Sequence, residues 1–214
     1  MRIEPYRAGD REAVRRICVL TSWLGELDPA RIPDDWIWAE YWTRYFTDRA
    51  PDHCWVVRDD HGEVQGYLTG TDDVRRFQRY TLRLMPGLVA HAVRHRLLRE
   101  RLSRGAIKSQ LRSLLGRDMA LPRGLKRTHP ATCHFNLLPE ARGQGLGRKL
   151  LKQFFAALRG ADVTGVHVQN NSLNQHAAGL LESCGFRLEA RRETRAYAHC
   201  DEQQIFVCTW VREL

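Results

Sequence analysis

The chain has 214 residues, of which 43% are hydrophobic, and its formal net charge is +9 at pH 7. This length and apolar content predict a single globular domain over residues 1–214, large enough to bury a proper core. No apolar segment approaches the roughly 20 residues that a membrane-spanning helix needs, and the first residues lack the apolar region of a signal peptide. We therefore expect a cytoplasmic protein with no membrane partner.

The six cysteines are scattered along the chain, and no two of them form a Cys-x-x-Cys pair. Structural zinc ligands usually occur in such closely spaced pairs. We therefore expect neither a metal site nor a disulfide framework, and we interpret the cysteines as small buried apolar residues in a reducing compartment.

The N-terminal part of the chain predicts a strand, a helix and then two more strands. Residues 2–7 alternate enough to form a strand, and Asp10 is a good N-cap for a helix that continues to Leu20. Residues 53–58 and 63–71 read as two strands, and the turn between them contains the Asp and Gly typical of a hairpin.

Residues 23–46 are dense in aromatic side chains. One interpretation is that they belong to the core. The other is that some of them, in particular Tyr41 and Tyr45 on one helix face, cover a substrate pocket, where an aromatic ring offers contact area and a polar tip. The sequence leaves both interpretations open.

The segment 75–127 is strongly basic. It carries fifteen Lys and Arg against Glu100 and Asp118, a formal charge of +13, so the remainder of the chain sums to −4. Apolar stripes at helical spacing over 88–97 and 107–115 predict a structured helical insertion. Its basic surface could be solvated, guide a polyanionic ligand, bind an acidic substrate or contact nucleic acid. Few aromatic residues lie among the arginines, so we do not expect a nucleic-acid partner.

Residues 133–155 combine an apolar strand, a turn with Gly143, Gly145 and Gly147, and an amphipathic helix. Bare backbone amides at the positive end of a helix dipole bind phosphate groups. The turn is not a Walker loop, because the required Gly-Lys followed by Ser or Thr is missing. It is not the dinucleotide fingerprint either, because Arg148 occupies the position of the third glycine.

The C-terminal part predicts a strand at 165–170 and a helix that begins at Asn174 and ends before Gly185. Two alternating segments, 187–199 and 204–211, then predict a terminal hairpin.

Two of these motifs together resemble the GNAT acyltransferases. The sequence RGQGLG at 142–147 is similar to the Arg-x-x-Gly-x-Gly pyrophosphate loop of that family, and residues 174–186 are similar to its second signature. The motif order, the strand between them and the terminal hairpin are similar to the family over essentially the full chain. Residues 134–147, with 18–21 and 70–73, more narrowly resemble the acetyltransferase-like domain of O-GlcNAcases and its stand-alone bacterial relatives.

The resemblance implies an α/β (α+β) fold of the GNAT type. Its mixed, mostly antiparallel central sheet would be splayed at the middle and flanked by helices, with the basic helical insertion at about 75–127. Acetyl-coenzyme A would be the co-substrate, without a metal, and would lie in the gap of the sheet. Backbone around Leu137 and Leu138 would pair with its pantetheine arm, while the amides of 142–148 hold the pyrophosphate. The implied coenzyme-binding residues are Asn136, Leu137, Leu138, Arg142, Gly143, Gln144, Gly145, Leu146, Gly147, Arg148 and Asn174.

The implied reaction is direct transfer of the acetyl group to an amine of a small molecule or a protein within a ternary complex. Asp73 or His134 would act as the general base. Many family members carry a general-acid Tyr at the position of Leu181. Either the thiolate leaves unaided here, as the low pKa of a thiol permits, or Tyr197 or another residue on the terminal hairpin replaces that Tyr. The candidate catalytic residues are therefore Asp73, His134 and Tyr197.

An alternative is a catalytically weak or inactive acetyl-coenzyme A-binding protein that uses its basic insertion to bind a partner. The sequence also leaves a homodimer through this insertion open.

Overall fold

A seven-stranded sheet forms the centre of the computed structural model, which describes residues 1–161, 163–200 and 203–214. Its strands are β1 (Arg2–Pro5), β2 (Cys54–Arg58), β3 (Val64–Thr71), β4 (Ala131–Leu137), β5 (Gly165–Asn171), β6 (Arg187–Thr194) and β7 (Ile205–Glu213). The helices are α1 (Arg11–Leu20), α2 (Asp35–Arg49), α3 (Val74–Arg94), α4 (Arg101–Gly116), α5 (Leu125–Thr128), α6 (Leu146–Arg159) and α7 (Gln175–Ser183).

The strand order is β1-β2-β3-β4-β5-β7-β6. Every neighbouring pair is antiparallel except β4 and β5, which are parallel. The antiparallel pairs β2–β3 and β6–β7 are the hairpins that the sequence predicted. Helices flank this mixed, mostly antiparallel sheet, and the predicted fold class is confirmed.

One face of the sheet packs against α6 and α7. The apolar stripe of α6 is fully buried there, and Leu181 of α7 joins the same core; the α6 residues are Leu150, Leu151, Phe154, Phe155 and Leu158. This stripe recurs every three or four residues, as expected for a helix with one buried face. The residues after the glycine turn thus fix α6 against the strand that precedes the turn.

The other face packs against α1 and α2. Val14 and Ile17 of α1 and Phe46 of α2 form a second core with Tyr67 of β3. A buried carboxylate also joins the two helices, since Glu40 of α2 pairs with Arg15 of α1 and with Arg44. These contacts hold α1 and α2 on the side of the sheet opposite α6.

Some of the aromatic side chains in residues 23–46 belong to the core, and another lies beside a candidate catalytic residue. Tyr45 and Phe46 are buried in the core, and the Tyr45 hydroxyl lies 3.2 Å from Thr71 Oγ1, so the core interpretation holds for them. Trp42, rather than Tyr45, is the α2 side chain that stacks on a candidate catalytic residue, as described below.

The basic insertion is helical, as predicted, but its apolar stripes are not all buried. Leu88 and Leu97 are buried, whereas Leu111, Leu114 and Leu115 of α4 are exposed. The sequence spacing correctly predicted helices, but it did not reveal which face each helix turns toward the protein.

Among the described residues no disulfide joins two cysteines; five of the six are buried and Cys200 is half-buried. Among the described residues, no helix is both long and apolar enough to cross a lipid bilayer.

Candidate active site

The central gap of the sheet lies between β4 and β5. These strands pair in only two rows, Ala131 with Val166 and Thr132 with His167. Beyond these rows both strands continue without pairing to each other. Buried backbone groups normally find partners, so a strand edge left open inside a sheet is a place for an extended ligand to bind.

The register of β4 determines which backbone groups face this gap. The amide of Leu138 donates to the carbonyl of Gln65 over 2.9 Å, so this residue pairs with the β3 side. Successive residues of an antiparallel strand turn their amides to opposite sides. Leu137 and Phe135 therefore face the gap. Leu138, which the sequence grouped with Leu137 as the pantetheine edge, has its amide committed to β3.

The turn after β4 presents a set of unpaired amides. Gly143 and Gly145 have φ angles of +72° and +69°, a conformation that favours glycine. Among the described residues, none of the six N–H groups from Gly143 to Arg148 donates to a protein acceptor; the first intrahelical bond of α6 runs from Lys149 to the Gly145 carbonyl. Six consecutive free amides at a helix N-terminus form a strong anion-binding arrangement.

The side chains of the turn are directed away from these amides or lie in the core. Gln144 folds back and donates to the Glu140 carbonyl over 2.8 Å, while Leu146 is buried in the core. A Cβ on Gly147 would come within 2.8 Å of Leu180 Cδ2, so a larger residue here would require the Leu180 side chain of α7 to move. The turn therefore presents backbone amides rather than the side chains of Gln144 and Leu146.

Arg142 connects the turn to the loop between α1 and α2. Its Nε donates to the Leu137 carbonyl over 3.0 Å, and its guanidinium also donates to the carbonyl of Gly25. The loop that holds Gly25 continues to Trp23, whose ring meets Tyr197 edge-on at 4.8 Å between centroids. The loop between α1 and α2 thus contacts the turn after β4 and also the connection between β6 and β7.

His134 lies on β4 beside the gap, with its side chain on the α1 and α2 face. Its ring stacks on Trp42 with 5.3 Å between centroids, and its Nδ1 lies 3.3 Å from the Tyr67 hydroxyl. Burial lowers the pKa of His134 to about 4. The imidazole is therefore neutral at physiological pH, the form in which it can accept a proton.

The Tyr67 hydroxyl is the centre of a buried polar cluster, which consists of Cys18, Tyr67, His134 and Asn136. Asn136 Nδ2 donates to this hydroxyl over 3.0 Å, and burial together with the neighbouring Cys18 thiol raises the pKa of the hydroxyl. If the Tyr67 hydroxyl turns its proton toward Cys18, its oxygen can accept a hydrogen bond from His134 Nδ1–H. The lone pair of Nε2 is then free. If the hydroxyl instead donates to Nδ1, then Nε2 carries the proton. Both tautomers satisfy the cluster.

Sequence reasoning named His134 and Asn136 but missed Trp42 as a contact and Tyr67 as the centre of the cluster. Tyr67 lies in a predicted strand, where a tyrosine in the core is common. Its position in the sequence therefore did not indicate that its hydroxyl would contact His134. The Cys-x-x-Thr resemblance at 18–21 was the only feature that pointed to the Cys18 end of this cluster.

Asp73 lies away from His134. Thr69 is directly opposite His134 in the sheet, whereas Asp73 follows two residues after β3 has ended at Thr71. Its carboxylate caps α3 by accepting from the Arg75 amide over 2.8 Å, and it also lies 3.6 Å from Arg76 Nε. The structure therefore does not bring the two candidate bases together.

The remaining predicted residues are engaged elsewhere. Burial raises the pKa of Tyr197 to about 12, so its hydroxyl keeps its proton at neutral pH. Asn174 Oδ1 caps α7 by accepting from the Ala177 amide over 3.0 Å. Leu181 is completely buried in the core on the α6 side, so this position offers no group that could protonate the thiolate.

Comparison with known proteins places this chain in a family. The sequence model of the acetyltransferase (GNAT) family matches residues 19–186. Among solved structures, SsHAT is similar with a TM-score of 0.65 and 24% identity, covering 99% of this chain and 97% of that one. The ribosomal-protein-alanine N-acetyltransferase from Brucella melitensis is similar with a TM-score of 0.59 and 14% identity, covering 100% of both chains.

A third structure carries a bound ligand. The GNAT superfamily phosphinothricin acetyltransferase from Sinorhizobium meliloti, in complex with AcCoA, has a TM-score of 0.57 and 14% identity, covering 100% of this chain and 88% of that one. These likenesses establish a common fold, and the family match extends over most of the chain from α1 to the residue before β6. The protein belongs to the acetyltransferase (GNAT) family.

Proposed function

We propose that this protein is an N-acetyltransferase that uses acetyl-coenzyme A. The observation that carries the proposal is the run of six unpaired amides from Gly143 to Arg148, directly after a strand whose edge is open to the gap. A diphosphate followed by an extended amide chain is complementary to this sequence of groups.

The residues of the gap fit the coenzyme. The amides of Gly143 to Arg148 would hold the pyrophosphate, and no acidic residue in the first turn of α6 would repel it. The exposed edge of Phe135 and Leu137 would pair with the pantetheine arm. Asn136 would act indirectly, because its side chain donates to Tyr67 on the α1 and α2 face.

The bound thioester supplies an activated acetyl group. An amine attacks the carbonyl carbon, a C–N bond forms, the C–S bond breaks and the thiolate leaves. In this proposal His134 Nε2 takes the proton from the attacking nitrogen, since the other ring nitrogen, Nδ1, is the one that contacts the Tyr67 hydroxyl. The weak basicity that burial gives His134 suits a nitrogen that has already become acidic by bonding to the carbonyl carbon.

The acceptor would enter from the α2 side, because the His134 side chain lies on that face against Trp42. The acceptor of the acetyl group would be an amine of a small molecule or of a protein. The thiolate would leave unaided, because a thiol has a low enough pKa to be a good leaving group and Leu181 offers no acid.

A second candidate function is coenzyme binding with little or no turnover. The observation that favours it is the absence of an acid at Leu181, together with the engagement of Asp73 as a helix cap. In this alternative, the basic insertion provides the contact with a partner.

Release of free thiol from acetyl-coenzyme A, measured with a panel of amines, distinguishes the two functions. We expect release that depends on the amine and on His134, with an acetylated product of the corresponding mass. Tight coenzyme binding by calorimetry without amine-dependent release would instead support the second function, and no binding at all would overturn both.

A further inference from the structure

Helix α4 has its polar side toward the protein and its apolar side outward. The buried face consists of small residues at helical spacing, namely Ser103, Ala106, Ser109 and Ser113. The opposite face carries Ile107 and three leucines, of which Leu111 is 51%, Leu114 65% and Leu115 83% exposed. A helix that faces only water normally shows the reverse distribution.

This orientation is fixed by contacts with the end of β6 and the residues that follow it. Ser113 Oγ lies 3.4 Å from Thr194 Oγ1, and both carboxylate oxygens of Asp118 bind Arg195. A Cβ on Gly105 would lie only 3.3 Å from His199. The close approach needs small side chains on the inner face, so α4 cannot rotate to bury its leucines.

Helix α3 repeats the pattern. Its outer face carries Leu82, Val89 and Val93, which are 71%, 56% and 64% exposed. Their spacing of seven and four residues places them on one side of the helix. Arg79 and Arg83 lie next to this apolar stripe and are exposed as well.

Basic side chains accompany the leucines on α4 in the same way. Arg104, Lys108 and Arg112 are all exposed and follow one another along the helix at intervals of four residues. They belong to the segment 75–127, whose formal charge is +13. The outer faces of α3 and α4 thus combine apolar stripes with a high positive charge.

The charge decides between possible partners. A second copy of the chain would bring another +13 segment against this one, and like charges oppose such contact. Nucleic acid would pair with the arginines but leave the exposed leucines without apolar contact. A surface of anionic lipid accommodates both, because acyl chains receive the leucines and headgroups receive the cations.

We propose that the outer faces of α3 and α4 bind the surface of an anionic lipid membrane. The leucine and valine side chains enter the boundary between headgroups and acyl chains, while the Arg and Lys stems lie along it and keep their charges at the phosphates. Helices bound in this way lie in the plane of the membrane, so the protein can bind without a membrane-spanning segment. The sequence predicted no membrane partner because it lacks such a segment, and that argument does not apply to binding at the surface.

Co-sedimentation with vesicles tests this proposal without acetyl-coenzyme A, and so independently of catalysis. We expect the protein to bind vesicles of phosphatidylglycerol and phosphatidylcholine at least tenfold more tightly than vesicles of phosphatidylcholine alone. The double variant Leu114→Ser/Leu115→Ser should bind the anionic vesicles roughly tenfold more weakly, because it loses apolar insertion. Leu188→Ser is the matched control, since Leu188 is 49% exposed but lies on β6, and its binding should equal that of the wild type.

A second variant, Arg104→Gln/Lys108→Gln/Arg112→Gln, separates charge from apolar insertion. It should lose binding at low salt and retain the normal thermal unfolding midpoint, since all three side chains are exposed.

Three results would overturn the proposal. One is absence of binding to anionic vesicles. Another is that the wild type and Leu114→Ser/Leu115→Ser bind the anionic vesicles equally well and also bind a polyanion such as polyglutamate equally well. Binding would then depend on charge alone, which would favour an acidic protein as the partner. The third is a concentration-dependent dimer that the leucine variant abolishes, which would identify a second copy as the partner.

Discussion

The Tyr67 hydroxyl lies 3.3 Å from Nδ1 of His134 and accepts a hydrogen bond from Asn136, and the Cys18 thiol is close enough to raise the pKa of this hydroxyl. The contact joins β3 to β4 on the face that α1 and α2 cover. A positioned imidazole therefore depends on residues from three separate parts of the chain.

Tyr67→Phe should lower kcat by about ten- to a hundredfold with little effect on KM, because the ring of His134 loses its orienting partner. It should also lower the free energy of unfolding by about 1 kcal/mol, because the half-buried Asn136 amide is left without its acceptor. Tyr45→Phe is the control. It removes another buried hydroxyl, bonded to Thr71, and should leave kcat unchanged. Equal losses of kcat in the two variants would contradict a positioning role.

Gly145→Val should weaken acetyl-coenzyme A binding about tenfold or more, because a β-branched residue is strained at a φ of +69° and would reshape the amide turn. Gly62→Val offers a close match: Gly62 has a φ of +88°, and like Gly145 it has no atom within 4 Å of an added Cβ. Calorimetric titration should show normal binding by the Gly62 variant. Weakening of the same size in both would mean that the effect is general destabilisation.

The variant Asp73→Asn tests which of the two candidate general bases, Asp73 or His134, takes the proton. Asn is as good a helix N-cap as Asp, so the cap that Asp73 provides to α3 is kept and kcat should remain within about a factor of two. His134→Gln should lower kcat at least a hundredfold, as expected when a general base is removed. The opposite outcome in steady-state kinetics would assign the base to Asp73.

Tyr197→Phe tests how the thiolate leaves. The variant keeps the ring that packs on Trp23 and removes only the hydroxyl, whose pKa of about 12 is raised by burial. Because we expect the thiolate to leave unaided, kcat should stay within about a factor of two. A loss of a hundredfold or more in single-turnover kinetics would identify Tyr197 as the general acid.

The stability of the protein should fall as the pH is lowered from about 6.5 to 4. Burial lowers the pKa of both His134 and His167 to about 4, whereas an unfolded histidine has a pKa of about 6.5. Between these values the unfolded state binds more protons, so each residue contributes stability that is present above about pH 6.5 and lost as the pH falls. The loss from each is on the order of 1–3 kcal/mol by pH 4.

Urea unfolding at about pH 7 and pH 5 measures this dependence. His134→Gln and His167→Gln should each remove part of the pH dependence, and the double variant more of it. The pH dependence would have another source if both single variants unfolded with the wild-type difference between the two pH values.

The sequence by itself determined the local parts of this protein. The glycine turn at 142–147 and the α6 stripe are defined by residues close together in the chain, and so are the hairpins and the helical nature of the basic insertion. Turn chemistry and helical or strand periodicity act over a few residues, which is why composition and spacing were sufficient. The family resemblance rested on these same local motifs, and its narrower placement near O-GlcNAcase relatives stays a prediction.

Only the tertiary structure decided how these parts meet. Sheet register turned the amide of Leu138 toward β3 and placed Asp73 away from His134. The packing of α4 on the residues after β6 turned its leucines outward, although their spacing alone suited a buried stripe. Register and helix rotation depend on contacts between segments far apart in sequence, so a periodicity shows that a helix or strand has two faces but not which of them lies against the protein.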